Sequence, residues 1–373
     1  MHDTWSSRAD AAEEAVISRH VRRLWGLPGT ALGVVAWPPV RRERLFFRWH
    51  YWWQAHLIDC VVDAEERAPT AKRRRRLVRI ARAHRLRNIT GWTNSYYDDM
   101  AWLGLSLERA QRLHLIDNRD AISALEQQLF DAWDPGSGGG IRWSTKSDFF
   151  NVPSNGPASV LLARTGKLWR AQAMADWIDA TLIDPETKLV YDGIHSDGAH
   201  LEGRIETPIY SYCQGVVLGA ETELAVRLGD RKHNERVHRL VRAVQNHLTV
   251  DGVISGSGGG DGGLFNGILG RYLALVATSL PGDTDDDHEA RSTAADIVLR
   301  SAEAAWENCL SIEGLPLFGS DWSRIAALPS FGAPIARFSA GTVTSSSVPE
   351  RDFSVQLGGW MLMEAAHSVT AGF

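Results

Sequence analysis

The 373-residue sequence predicts an all-α protein, a single domain over residues 1–373 in which six inner and six outer helices close an (α/α)6 barrel. Three observations predict it. Helical periodicity runs through almost the whole chain, and the β-branched runs are short and sit inside helical patterns. The helices alternate between two kinds, one apolar on nearly every face and rich in Gly, Ala and Ser, the other carrying one apolar stripe. The pairs recur at a spacing of roughly 50 residues, the mark of a repeated supersecondary unit. An open stack of repeats would show a stripe in every helix and capping repeats at its ends. Here one set of helices is apolar all round, so an inner ring inside an outer one is the economical arrangement.

In order, residues 8–25 form a striped helix through Ala11, Ala15, Val16, His20 and Leu24, expected to pack outside the last inner helix. Pro28, Pro38 and Pro39 mark the loop after it. Residues 49–65 are apolar; 70–87 are striped through Leu77, Ile80, Ala81 and His84. Apolar segments follow at 96–113, 151–166, 210–229, 264–277 and 352–368, and striped ones at 119–133, 167–182, 231–248 and 291–309. Small residues such as Gly215, Gly219, Ala220, Gly358 and Gly359 let inner helices approach closely. Four long connections, 134–150, 184–209, 255–263 and 311–351, each lead into the start of an inner helix. Irregular segments of that length in a compact domain are often functional, and these are expected to gather at one mouth.

Composition removes several functions. A net charge of −5 argues against the chain as a whole binding nucleic acid. Three widely spaced cysteines, Cys60, Cys213 and Cys309, form no disulfide framework or metal-ligand cluster, so no metal or cofactor is expected. No apolar run of about 18 residues marks a membrane span, and residues 1–16 lack a secretory pattern, so a reducing, cytoplasmic setting is expected. Fifteen Trp against seven Tyr provide core filler or platforms for sugar rings. The run SGSGGGDGG at 255–263 lacks the ending of a phosphate-binding loop and is read as a mouth loop, with Asp261 as a sugar-hydroxyl acceptor. DTDDDHE at 283–289 lacks calcium-ligand spacing and is read as a solvated loop and helix cap. Nine basic residues between Lys72 and Arg87 are read as a solvated outer face. His195 and His200 stay unassigned.

The segment 93–110, TNSYYDDMAWLGLSLERA, focuses the functional question. Asn94 and Ser95 read as helix caps, and Met100, Leu103, Leu107 and Ala110 follow at helical spacing. Two adjacent acids, Asp98 and Asp99, stand at the start of a buried helix. Adjacent helical residues diverge by about 100°, which sets their carboxyls about 5–7 Å apart. A retaining glycosidase holds its pair about 5–5.5 Å apart and an inverting one about 6.5–9.5 Å, so adjacency favours retention. Such a pair also suits acid/base work, because repulsion and burial separate the two titrations.

YYDDMAW at 96–102 resembles the catalytic signature of glycoside hydrolase family 76, the endo-α-1,6-mannanases. GGGIRW (138–143), YSYCQG (210–215), DGGLFNGILGRY (261–272) and FGSDW (318–322) are similar to family motifs in the same order. The resemblance implies an (α/α)6 barrel, α-1,6-mannan or manno-oligosaccharide as substrate, Asp98 as nucleophile and Asp99 as acid/base. It implies sugar contacts from Asn94, Tyr97, Trp102, Trp143, Asn155, Tyr212, Gln214, Asp261 and Phe265. The chain departs from the pattern at Cys213, where the family tends to have Asn, and at Asn266, where Lys is common. Transglycosylation through the same intermediate, silent glycan binding, and epimerase chemistry are the competing readings. The last usually calls for a His pair, which no inner helix carries convincingly.

Overall fold

The computed structural model describes residues 4–196, 203–330, 336–339 and 341–372, and His200 lies outside them. It is all-α, with helices α1 (Trp5–His20), α2 (Arg41–Arg44), α3 (Tyr51–Arg67), α4 (Ala71–Arg87), α5 (Tyr97–Arg112), α6 (Arg119–Asp131), α7 (Val152–Arg164), α8 (Leu168–Thr181), α9 (Ser211–Leu228), α10 (Arg231–Leu248), α11 (Gly262–Ser279), α12 (Asp285–Glu307) and α13 (Phe353–Ala371). All twelve expected helices are there, and the four-residue α2 is additional. The two kinds of helix are as read: α7 buries every residue from Val152 to Ala163, whereas α6 buries only Ala121, Ile122, Leu125 and Leu129.

Two boundaries differ from the periodicity. The first helix stops at His20 because Val21 and Arg22 turn into an antiparallel pairing with Leu32 and Gly33. Leu24 still reaches the core, in a separate cluster with Leu32, Val34, Phe46 and Ala83. Helix α12 starts at Asp285, inside the segment read as a solvated loop. Asp287 there is fully buried and accepts from the Thr284 amide (3.0 Å), the Asn234 side chain (3.0 Å) and His238 (2.9 Å), and its hydrogen bonds outweigh burial to hold the carboxyl far below its usual range. The short strand pairs are two or three residues each, too brief to show alternation in sequence. The largest is a three-stranded antiparallel sheet of Phe149–Asn151, Gly193–His195 and Ile205–Glu206.

The chain forms two compact units, Met1–Ile89 with Thr249–Ala274 and Ala295–Phe373, and Thr90–Leu248 with Leu275–Ala294. In the first unit α13 packs on α3, α4 covers α3, and α1 covers α13 as expected. In the second, α5 packs on α7 and α7 on α9, with α6, α8 and α10 against them. Close approach there requires glycine: a Cβ on Gly104 would sit 2.5 Å from a Leu161 methyl, and one on Gly156 2.5 Å from a Val216 methyl.

A buried amide recurs at the fourth residue of four apolar helices. Gln54 accepts the Gly33 N–H (2.8 Å) and donates to the Gly33 carbonyl (2.9 Å). Asn155 treats Ile141 the same way (2.8 and 2.8 Å), as does Gln214 with Val190 (2.8 and 2.8 Å) and Gln356 with Phe318 (3.1 and 2.9 Å). Each also donates to a carbonyl just before its own helix, those of Trp49, Asn151, Tyr210 and Glu350. Each side chain therefore acts as a one-residue strand, fixing a distant loop residue to the helix start and satisfying backbone groups that burial would otherwise penalise.

Candidate active site

The start of α5 lies in the second unit and carries no such amide; its fourth residue is the buried Met100. The loop 134–150 is held there by main chain instead. Tyr96 bridges Ser144, the Tyr97 amide donates to the Trp143 carbonyl (2.9 Å), and Thr145 donates to the Ser95 carbonyl (3.0 Å). This brings the Trp143 ring against Tyr96, edge-on at 5.2 Å, and points its indole N–H at Asp98 Oδ2 (2.9 Å). Asp98 Oδ1 accepts the backbone amide of Asp99 (2.8 Å). These two N–H groups, one to either oxygen, fix the plane of the Asp98 carboxylate.

Asn94 and Ser95 do not cap the helix, since its N-cap is Tyr96. Asn94 forms a tighter local turn in which its Oδ1 accepts the Tyr96 amide (2.8 Å) and its Nδ2 donates to Asp99 Oδ2 (2.6 Å). The two acids thus have separate holders, Trp143 for Asp98 and Asn94 for Asp99, and both acids are only half-buried.

A third carboxyl belongs to this group and was missed in the sequence. Asp192, in the 184–209 loop, is fixed by its own backbone, its amide to Pro208 and its carbonyl from Val152 (3.1 and 2.8 Å). Burial, then the charges of Asp98 and Glu206, push it up to about 7. Its side-chain neighbour is Cys213, with Sγ 4.0 Å from Asp192 Oδ1. Cys213 is fully buried, and burial followed by the Asp192 charge raises its thiol well above the usual range. No periodicity or motif marked Asp192, because a lone loop acid looks like any turn residue. His195, on the same small sheet, lies 3.3 Å from both Asp148 and Glu206, which gives it the partners that spacing could not reveal.

Of the other expected contacts, Tyr97 and Tyr212 are half-buried, and Tyr212 lies 6.1 Å from the Tyr210 ring. Trp102 is 4 % exposed, one turn below the acids. Asn155 and Gln214 are fully buried with their amides engaged in backbone clamps, which position the loops. In the first unit, Asp261 Oδ1 accepts both the Trp52 and Trp53 indole N–H groups (3.1 and 2.9 Å) and Oδ2 accepts the Val343 amide (2.6 Å). Burial raises Asp261 to about 6 against those donors. It ties the glycine-rich loop to the 311–351 connection, with Gly260 donating to Asp352 (2.8 Å). Phe265 on α11 is half-buried, and Asn266 donates to the Ser255 carbonyl (2.7 Å). Among the described residues no cluster of His, Cys, Asp and Glu could hold a metal ion.

Two acids held independently at a helix start, in the YYDDMAW context, meet a decisive comparison: the sequence profile of glycosyl hydrolase family 76 matches residues 6–353. The chain belongs to glycosyl hydrolase family 76. Within this family it is similar to the α-1,6-mannanase of a Salegentibacter species, at 27 % identity over 97 % of this chain and 98 % of that one, with a TM-score of 0.79. An inactive variant of that mannanase, with two consecutive aspartates changed to asparagine, has been solved with α-1,6-mannotriose and matches at 26 % identity over 97 % and 99 % of the two chains, again with a TM-score of 0.79. The mannan endo-1,6-α-mannosidase of Candida glabrata is 25 % identical over 265 residues, 62 % of this chain and 57 % of the relative. The chain thus spans little more than half the length of the curated relatives it matches.

Proposed function

We propose that the chain is a glycoside hydrolase that cleaves α-1,6-mannosidic linkages with retention of configuration. The observation that carries this reading is the separate anchoring of Asp98 by Trp143 and of Asp99 by Asn94 at the start of α5. Asp98, with both oxygens oriented, attacks the anomeric carbon while Asp99 protonates the departing glycosidic oxygen. Asp99 then takes a proton from water, which releases mannose from Asp98. The loss of activity in the Salegentibacter variant altered at two consecutive aspartates supports these roles, as does that protein's complex with α-1,6-mannotriose. Half-buried Tyr97 and Tyr212 are the proposed sugar-facing aromatics on this side. We also infer that the twelve helices alternating between buried and striped kinds close as an (α/α)6 barrel.

The test is hydrolysis of linear α-1,6-mannan, followed by proton NMR of the first product anomer. The reading expects an α-anomer formed first and no release by Asp98→Ala or Asp99→Ala protein of unchanged helical content. A β-anomer formed first overturns retention, and full activity in Asp98→Ala overturns the site.

A further inference from the structure

The basic run on α4 divides into two sets. Arg73 and Arg76 reach Glu13, Arg73 also reaches Asp10, and Arg74 reaches Glu65, so these three cations are used inside the first unit. Lys72, Arg75, Arg79 and Arg82 follow at spacings of three and four, share the outer side of the helix, and are exposed, with no acid paired to any of them among the described residues. A cavity of about 260 Å³ opens where this stripe meets the 21–31 turn. Arg22, Arg23, Lys72, Arg76 and Arg79 line it, and no acidic side chain does. Segments 21–48 and 71–89 together hold fifteen Lys and Arg and a single acid, Glu43, which is buried against Arg351, in a chain whose net charge is −5.

Beside these cations the surface is apolar. Trp25 is 52 % exposed and Phe47 69 %, and Leu27 and Leu45 are exposed as well. They form one group: the Trp25 indole donates to the Leu45 carbonyl (2.8 Å), and Arg87, near the end of α4, donates to the Phe47 carbonyl (3.3 Å) with its guanidinium 6.0 Å from the Trp25 ring. Trp25 is held with φ at 47°, a left-handed conformation that bulky residues avoid, while its ring stays half exposed. A soluble polyanion would use the cations and leave the aromatic and leucine side chains idle. A bilayer surface uses both, because anionic headgroups attract the basic residues and the interfacial region accepts Trp, Phe and Leu.

We propose that this face of the first unit docks on an anionic bilayer surface. Lys72, Arg75, Arg79 and Arg82 lie along headgroup phosphates, the cavity between Arg23 and Arg79 takes one phosphate, and Trp25, Leu27, Leu45 and Phe47 enter the interface. Among the described residues no helix is long and apolar enough to cross a membrane, so this attachment is peripheral. The proposal is independent of the glycosidase assignment.

Co-sedimentation with phosphatidylcholine vesicles, with and without about 30 % phosphatidylglycerol, at about 0.1 M salt, tests it. Binding is expected only to the phosphatidylglycerol vesicles. Lys72→Glu with Arg79→Glu should weaken it by about tenfold or more, and Leu27→Ser with Phe47→Ser by about three- to tenfold, with circular dichroism melts unchanged. Equal sedimentation with both vesicle types, or none with either, overturns the proposal. So does tight binding to soluble heparin combined with vesicle binding indifferent to Leu27→Ser and Phe47→Ser, which would make the face a polyanion site.

Discussion

The starts of α5 and α9 solve the same mechanical problem with different parts. Each must hold a long incoming loop against a buried helix. At α9, Gln214 does this with its side chain, spending the whole amide on Val190 and Tyr210. At α5 the loop is held by main-chain pairing through Tyr96, Tyr97 and Ser95, and the fourth residue is the apolar Met100. The second and third residues there are Asp98 and Asp99, oriented by Trp143 and Asn94. The two helix starts thus reach the same end, a long loop fixed to a buried helix, one through a side-chain amide and the other through main-chain pairing.

Breaking this contrast at the acids should have the largest effect. Asp98→Asn and Asp99→Asn are each expected to lower kcat/KM on α-1,6-mannan by about 10³-fold or more while the protein keeps its helical content, because an amide of the same shape removes the carboxylate and leaves the helix start in place. Gln214→Ala should do the reverse. It leaves the Val190 amide and carbonyl and the Tyr210 carbonyl without a partner, and denaturant unfolding should report a loss of about 3 kcal/mol. If Gln214→Ala leaves stability intact while abolishing activity, the division of labour is wrong. Trp143→Phe keeps an aromatic side chain but removes the indole N–H on Asp98 with part of the ring, so kcat is expected to fall by about 10–100-fold while the protein stays folded.

Asp192 sharpens the comparison by pH. Its folded-state value near 7 lies above the ordinary carboxylate value of about 3.9. The native state therefore holds its proton more tightly than the unfolded chain does, and its contribution to stability is complete at low pH and is lost as pH rises from about 4 to about 7. Asp192→Asn should flatten that stretch of the stability curve relative to the parent protein. Cys213→Asn, which offers an amide donor where the thiol now sits, should move the Asp192 titration downward by on the order of one pH unit, read by comparing stability-pH profiles. An unchanged profile in Asp192→Asn would show that another group carries the titration.

The helices were legible because burial leaves its mark on sequence: α7 is buried from Val152 to Ala163 and α13 from Phe353 to Ala366, and both read as predominantly apolar. The Asp pair was legible only through its aromatic surroundings. Asp192 was not, since its role comes from proximity to Asp98 across 94 positions of sequence. Asn155 and Gln214 were read as sugar ligands because a polar residue near an inner helix start looks functional until its partners are seen, and the structure shows their amides engaged with backbone groups. The signal that separates them is positional, an amide four residues into an otherwise apolar helix, repeated at Gln54 and Gln356. Asn94 was read as a cap and is a holder of Asp99, a difference of two residues in where the helix begins.

The amide clamps also bear on how such a chain diversifies. Gln214 grips Val190 and Asn155 grips Ile141 at single residues, so each loop is pinned at a defined point close to its helix. Lengthening a loop beyond its pin adds only a slowly growing closure entropy and leaves the pinned residue, and the acids registered by it, in place. The helix starts behave as sockets into which rims of different length and chemistry can be grafted, so the loops can be exchanged while the helices that carry them stay as they are.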